Sequence, residues 1–106
     1  MDQAARTSEQ ESPGLAALRR LLAIAQTETG QSRCVADFLL AWWNASACGG
    51  FDLTVLWAVD AAILDDMLAV LKLIAHEREF PTAYGLGEPF EALVTRWRPR
   101  VVQAHR

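Results

Sequence analysis

Cysteine and histidine, from which small proteins build metal and redox sites, occur only twice each in this 106-residue chain. Cys34 and Cys48 are too few for a disulfide framework and leave no further thiol for a Cys-rich zinc site. His76 opens the stretch HEREF, but a zincin needs a second imidazole four residues on, on the same helix face, and Phe80 stands there. At the C-terminal end of a helix, His76 is explained by exposure or by a dipole-favoured cation. The other histidine, His105, falls in the tail.

Other absences narrow the chemistry further. No segment has a convincing strand pattern, so the GLG at 85 to 87 follows no strand, and Gly49-Gly50 lacks the spacing of a phosphate-cradling loop. Asp60, Asp65 and Asp66 are clustered, yet no Glu-x-x-His pair accompanies them as a di-metal bundle requires. The nearly apolar run from Ala61 to Ala75 is interrupted by Asp65, Asp66 and Lys72, far short of the roughly twenty residues that span a bilayer. The first eleven residues are polar and contain no apolar core of a secretion signal. There is no basic excess either: the net charge is −3 and the isoelectric point about 5.3, so no overall field draws the chain to nucleic acid or anionic lipid. These absences predict a cytoplasmic, non-enzymatic protein with no cofactor and no metal.

What is present is a 52% apolar, 22% charged composition of a folded domain, in a length that suits a single core and would gain from a partner subunit. Residues 1–11 read as a flexible segment, 12–100 as one helical domain and 101–106 as a tail. Ser12-Pro13 is a hydroxyl cap followed by proline at the first helical position. The helix it opens runs to about Gln26, with Leu15, Leu18, Leu22 and Ala25 inward, and ends at TETGQS, where Gly30 suits a C-terminal cap. A second helix covers about Ser32 to Ala45, carrying Val35, Phe38, Leu39, Trp42 and Trp43, with Arg33 and Asp37 on its other side as an i,i+4 pair. Asp52 caps a short turn through Trp57. Asp60 caps the longest helix, to about Arg78, whose apolar surface is wide enough to predict that it is the central and most buried one. After a loop marked by Pro81, Gly85 and Gly87, Pro89 opens a last helix. Phe90, Leu93, Val94 and Trp97 face inward and Arg98 outward, and Pro99 ends it. The expected fold is all-α, a compact bundle of four main helices plus one short helix.

Cys34, in the first turn of the second helix, is expected to be a buried small apolar group and Cys48 the more exposed thiol. Four tryptophans are a heavy aromatic load for so small a core. Trp42 and Trp43 point about 100° apart on a helix and cannot both bury against one neighbour, so one is a candidate interface anchor. Trp42, Trp43, Phe51 and Trp57 are therefore the expected protein-contact residues. Arg96, Arg98 and Arg100, with Trp97 between them, are candidate phosphate-contacting residues. The first two helices have the outline of a helix-turn-helix, but SRCVADFLLAWW offers one arginine and mostly apolar groups, poor material for reading base edges.

The stretches LLAIAQTETGQSRCVADFLLAWWNASACGGFDLTVLWAVD, DDMLAVLKLIA and GEPFEALVTRWRP, across residues 15 to 100, resemble a family of small uncharacterised bacterial proteins encoded on integrative elements and plasmids of Proteobacteria. ADFLLAWWN with GGFD is the most specific part. The resemblance implies a mobile-element context and supplies no catalytic or ligand residues. The resulting expectation is a non-enzymatic protein-interaction module that binds a host or element-encoded protein or forms a homodimer. A nucleic-acid-associated regulator using the basic C-terminal segment, and a small enzyme or metal-binding helical protein, are the alternatives.

Overall fold

The structure, a computed structural model, describes residues 11–104. Of the flexible segment expected over residues 1–11, residues 1–10 lie outside the described residues, as do His105 and Arg106. Ser12 accepts a hydrogen bond from the Leu15 N–H (3.1 Å) and starts α1, Pro13–Ala25. The TETGQS break is tighter than its composition suggests. Thr29, rather than Ser32, is the cap of α2, Gly30–Cys48, and Thr29 and Ser32 exchange hydrogen bonds in a reciprocal capping box. Gly30 is thus the first residue of α2, not the end of α1. Ser32 is fully buried, and its hydroxyl is satisfied by Thr27 and Thr29.

α2 runs past the expected stop at Ala45. Asn44 takes a non-helical conformation and its side-chain oxygen accepts from the Ala47 N–H (3.1 Å), so the helix breaks and restarts for one turn. Gly49, at φ 99°, ends it in a conformation costly for any side chain. That extra turn carries Cys48 inward. Cys48 is buried and Cys34 half-buried, the reverse of the expected order.

Asp52 caps the 3-10 turn Leu53–Trp57 by accepting from Thr54. α3 spans Ala61–Glu77 with Asp60 at its cap position, but the Asp60 carboxylate does not cap the helix. It accepts from the Gln31 side-chain amide (3.0 Å) while the Asp60 N–H donates back to Gln31 (2.7 Å), which ties the start of α3 to α2. A second 3-10 turn, Pro81–Tyr84, fills the expected loop and leads to α4, Gly87–Trp97. Proline ends α4 as expected, and the chain then turns once more as α5, Pro99–Ala104. Over the described residues the molecule is an all-α bundle of four main helices plus one short helix.

α1 packs on both α3 and α2, α4 packs on α2, and α5 follows α4, while α2 and α3 touch little. The main layers therefore run α3, α1, α2, α4. Ala17, Leu18, Leu21 and Ala25 of α1 and Val35, Ala36, Leu39 and Leu40 of α2 are fully buried. Each such leucine contributes about 1.5–3 kcal/mol by leaving water. α1 and α3 approach closely at Gly14, where an added Cβ would sit 2.9 Å from the Leu73 Cβ. The expectation of a central α3 is thus corrected: α1 and α2 are central, and α3 lies at the edge. Ile63, Met67, Val70 and Leu73 of α3 meet the core, while Leu68 and Leu71 face outward.

Candidate protein-contact surface

The tryptophans divide by where their indole N–H goes. Trp42 donates to the Glu79 carbonyl (3.0 Å) and meets Phe90 edge-on, with centroids 5.8 Å apart. Trp43 stacks on the same Phe90 at 5.4 Å and an interplanar angle of 24°. One fully buried phenylalanine, from α4, thus serves both neighbours of the pair, and both are half-buried. Trp97 donates to the Ala25 carbonyl (2.8 Å), linking α4 to the end of α1. Trp57 stands apart at 85% exposed. Phe51 is half-buried with its ring edge-on to Phe38 at 5.3 Å.

Two of the three C-terminal arginines, Arg96 and Arg98, are engaged within the chain. Arg98, expected outward, donates to the Asp37 carboxylate (2.6 Å), the Cys48 carbonyl (2.8 Å) and the Trp97 carbonyl (3.0 Å). It joins the end of α4 to the middle and the end of α2, and Asp37 pairs with it rather than with Arg33. Arg96 pairs with Glu28 (2.9 Å) and lies over the Trp97 ring at 5.7 Å. Arg100 is exposed. The three therefore do not form one phosphate-facing row.

The polar chemistry is quiet. Among the described residues, no group of three or more His, Cys, Asp or Glu is placed to hold a metal ion, and no buried side-chain polar atom lacks a partner. Burial pushes the Cys48 thiol up, with the Arg98 charge opposing, so the protonated thiol and not the nucleophilic thiolate is favoured. Hydrogen bonds from Thr54 hold the Asp52 carboxyl below its usual range, which suits a cap. No helix among the described residues is long and apolar enough to cross a membrane.

The distinctive surface is apolar. α2 and α3 both pack on α1 and touch each other little, and a groove of about 260 Å³ lies between them. Phe38 and Trp42 of α2, Phe51 and Leu53 of the connection, and Leu71 and Ile74 of α3 line it. Leu53 is 68% exposed at its rim, Leu71 39% and, one turn back along α3, Leu68 46%. Leu64 continues that line half-buried. Of the four expected contact residues, Trp42 and Phe51 wall this groove and Trp57 ends the 3-10 turn that begins at its rim. Trp43 borders a different hollow, with Asn44, Phe80 and Thr82. Leu68 and Leu71 were missed because a wide apolar helix reads as a core helix. The polar residues beside this line, Asp65 after Leu64 and Lys72 after Leu71, were the available signal.

A family model matches residues 15–98, from α1 to the end of α4, and it describes a family of unknown function, DUF7673. The chain belongs to this family. No curated protein and no solved structure matches it. The matched span includes the groove, the exposed side of α3 and the Trp97–Arg98 junction.

Proposed function

We propose that this DUF7673 chain is a non-enzymatic protein-interaction module whose contact face is the outer side of α3 together with the Leu53–Trp57 turn. The observation that carries this reading is the joint exposure of Trp57, Leu53, Leu68 and Leu71 beside an apolar groove. A tryptophan held in water at 85% exposure loses the burial that stabilises its kind elsewhere in the same molecule. Leu53 and Leu71 line that groove together, and apolar surface gathered in this way marks contact sites. Tryptophan is enriched among the residues that dominate interface energies. In the mobile-element setting implied by the resemblance, the partner is a host or element-encoded protein or the chain itself.

Affinity capture with matched baits from cells of the native host tests the reading. The wild-type bait and an Arg100→Ala bait are expected to retain the same protein partner, and Leu68→Glu and Trp57→Ala baits to lose it. Capture that survives both apolar substitutions but disappears with Arg100→Ala and with moderate salt would overturn it in favour of a nucleic-acid contact.

A further inference from the structure

We propose that the partner at this face is a second copy of the chain, joined through antiparallel pairing of the two α3 helices about a two-fold axis. The inference rests on the reading of the outer side of α3 as the contact face, and names its occupant. Ala61, Leu64, Leu68, Leu71 and Ala75 succeed one another at steps of three, four, three and four, the spacing of a seam between two helices. All five are exposed or half-buried, while Ile63, Met67, Val70 and Leu73 hold the opposite side against the core. α3 thus has two apolar sides, and its own chain covers one.

The residues flanking the seam select the orientation. Asp65 and Lys72 each follow a seam leucine, lie on the same flank seven positions apart, and are exposed. A two-fold axis between Leu68 and Leu71 reverses the second helix. Leu68 then meets the partner's Leu71, Leu64 meets the partner's Ala75, large against small, and Asp65 faces the partner's Lys72. By symmetry the charge pair forms twice. A parallel pair would instead set Asp65 and Lys72 against the other flank, Met67 and Ile74, which the fold uses for its core and its groove. The size also suits a dimer. Leu53, Trp57, Leu68 and Leu71 leave on the order of 500 Å² of apolar surface in water. A standard interface covers about 800 Å² on each side, somewhat over half of it apolar. A patch that presents a seam and its complementary charges on one face closes on itself without leaving an open end.

Sedimentation velocity of the full chain at micromolar concentration, with circular dichroism to check folding, tests the pairing. The wild type is expected as a dimer and Leu68→Glu as a folded monomer. Asp65→Lys and Lys72→Asp, both at exposed positions, are each expected to weaken association about tenfold by replacing two attractions with two repulsions. The double variant is expected to return to within about threefold of the wild type, since the swapped charges again face each other. A dimer in which the double variant is no better than the singles overturns the antiparallel arrangement. A wild type that stays monomeric overturns self-pairing. The capture experiment then separates the two readings: loss of capture in Leu68→Glu leaves the face as a site for a different protein, and unchanged capture removes both.

Discussion

The end of the bundle built by α4 and the outer side of α3 reverse the roles that their residue types suggest. At the first, Arg98, whose type reads as a surface ligand, is tied inward to Asp37 and the Cys48 carbonyl, beside Trp97, which faces inward as expected and donates to the Ala25 carbonyl. At the second, leucine, which reads as core, stands in water at Leu53, Leu68 and Leu71, beside the exposed Trp57. Long polar side chains can reach across a bundle to carbonyls left open at helix ends, so a basic segment can be a fastener. An apolar helix at an edge has only one neighbour within its own chain, so its remaining surface is open to another.

Substitutions should separate the fastened region from the open one. The largest effect is expected for Phe90→Ala, which removes the ring that both Trp42 and Trp43 pack against and leaves a cavity between α2 and α4. Urea unfolding is expected to show a loss of about 3–5 kcal/mol. Arg98→Ala comes next, at about 2–3 kcal/mol in the same assay, because it leaves the half-buried Asp37 without its cation. Arg98→Ala as harmless as a surface substitution would erase the contrast from the fastened side. Trp57→Ala is expected to change the stability of the isolated chain by under about 0.5 kcal/mol, while its emission, the most water-exposed of the four indoles, disappears from the fluorescence spectrum.

The smallest effect lies where the two regions meet. Tyr84, the chain's only tyrosine, donates a hydrogen bond to Glu77 at the end of α3 (2.6 Å). Burial first, and then the Glu77 hydrogen bond and charge, push its phenol up to about 12 from an ordinary 10. A raised folded value means that the protonated phenol is favoured in the folded chain. Its contribution to stability is therefore complete below pH 10 and lost as pH rises from 10 through about 12. Phenolate absorbance should show this single late titration, and Glu77→Gln should move it back toward the ordinary value.

Two starts were legible from neighbouring residues: Ser12-Pro13 and Asp52 act locally, and the structure shows both as caps, whereas the equally local Thr29–Ser32 box was not read and α4 opens at Gly87, ahead of the expected Pro89. Asp60 was legible as a position but not as an interaction, because its partner Gln31 lies 29 residues away. Arg98 was misplaced for the same reason, with Asp37 61 residues off. The inversion of Cys34 and Cys48 follows from the break at Asn44, where composition marks a helix end and the structure restarts the helix. The standing of α3 was the deepest ambiguity. Hydrophobic width cannot distinguish a helix surrounded by its own chain from one that faces its own core on one side and a partner on the other. The three-four spacing of Leu64, Leu68 and Leu71, beside Asp65 and Lys72, was present in the sequence but acquires meaning only once the opposite side is known to be occupied.

The central claim is that the outer side of α3 is a contact face and not part of the chain's own core. Urea unfolding of Leu68→Glu against the wild type, followed by tryptophan fluorescence at concentrations too low for association, tests it most directly. Leu68 is already 46% exposed, so the account predicts a loss of under about 1 kcal/mol. A loss of about 3 kcal/mol or more, as for a charge forced into a packed interior, would contradict it.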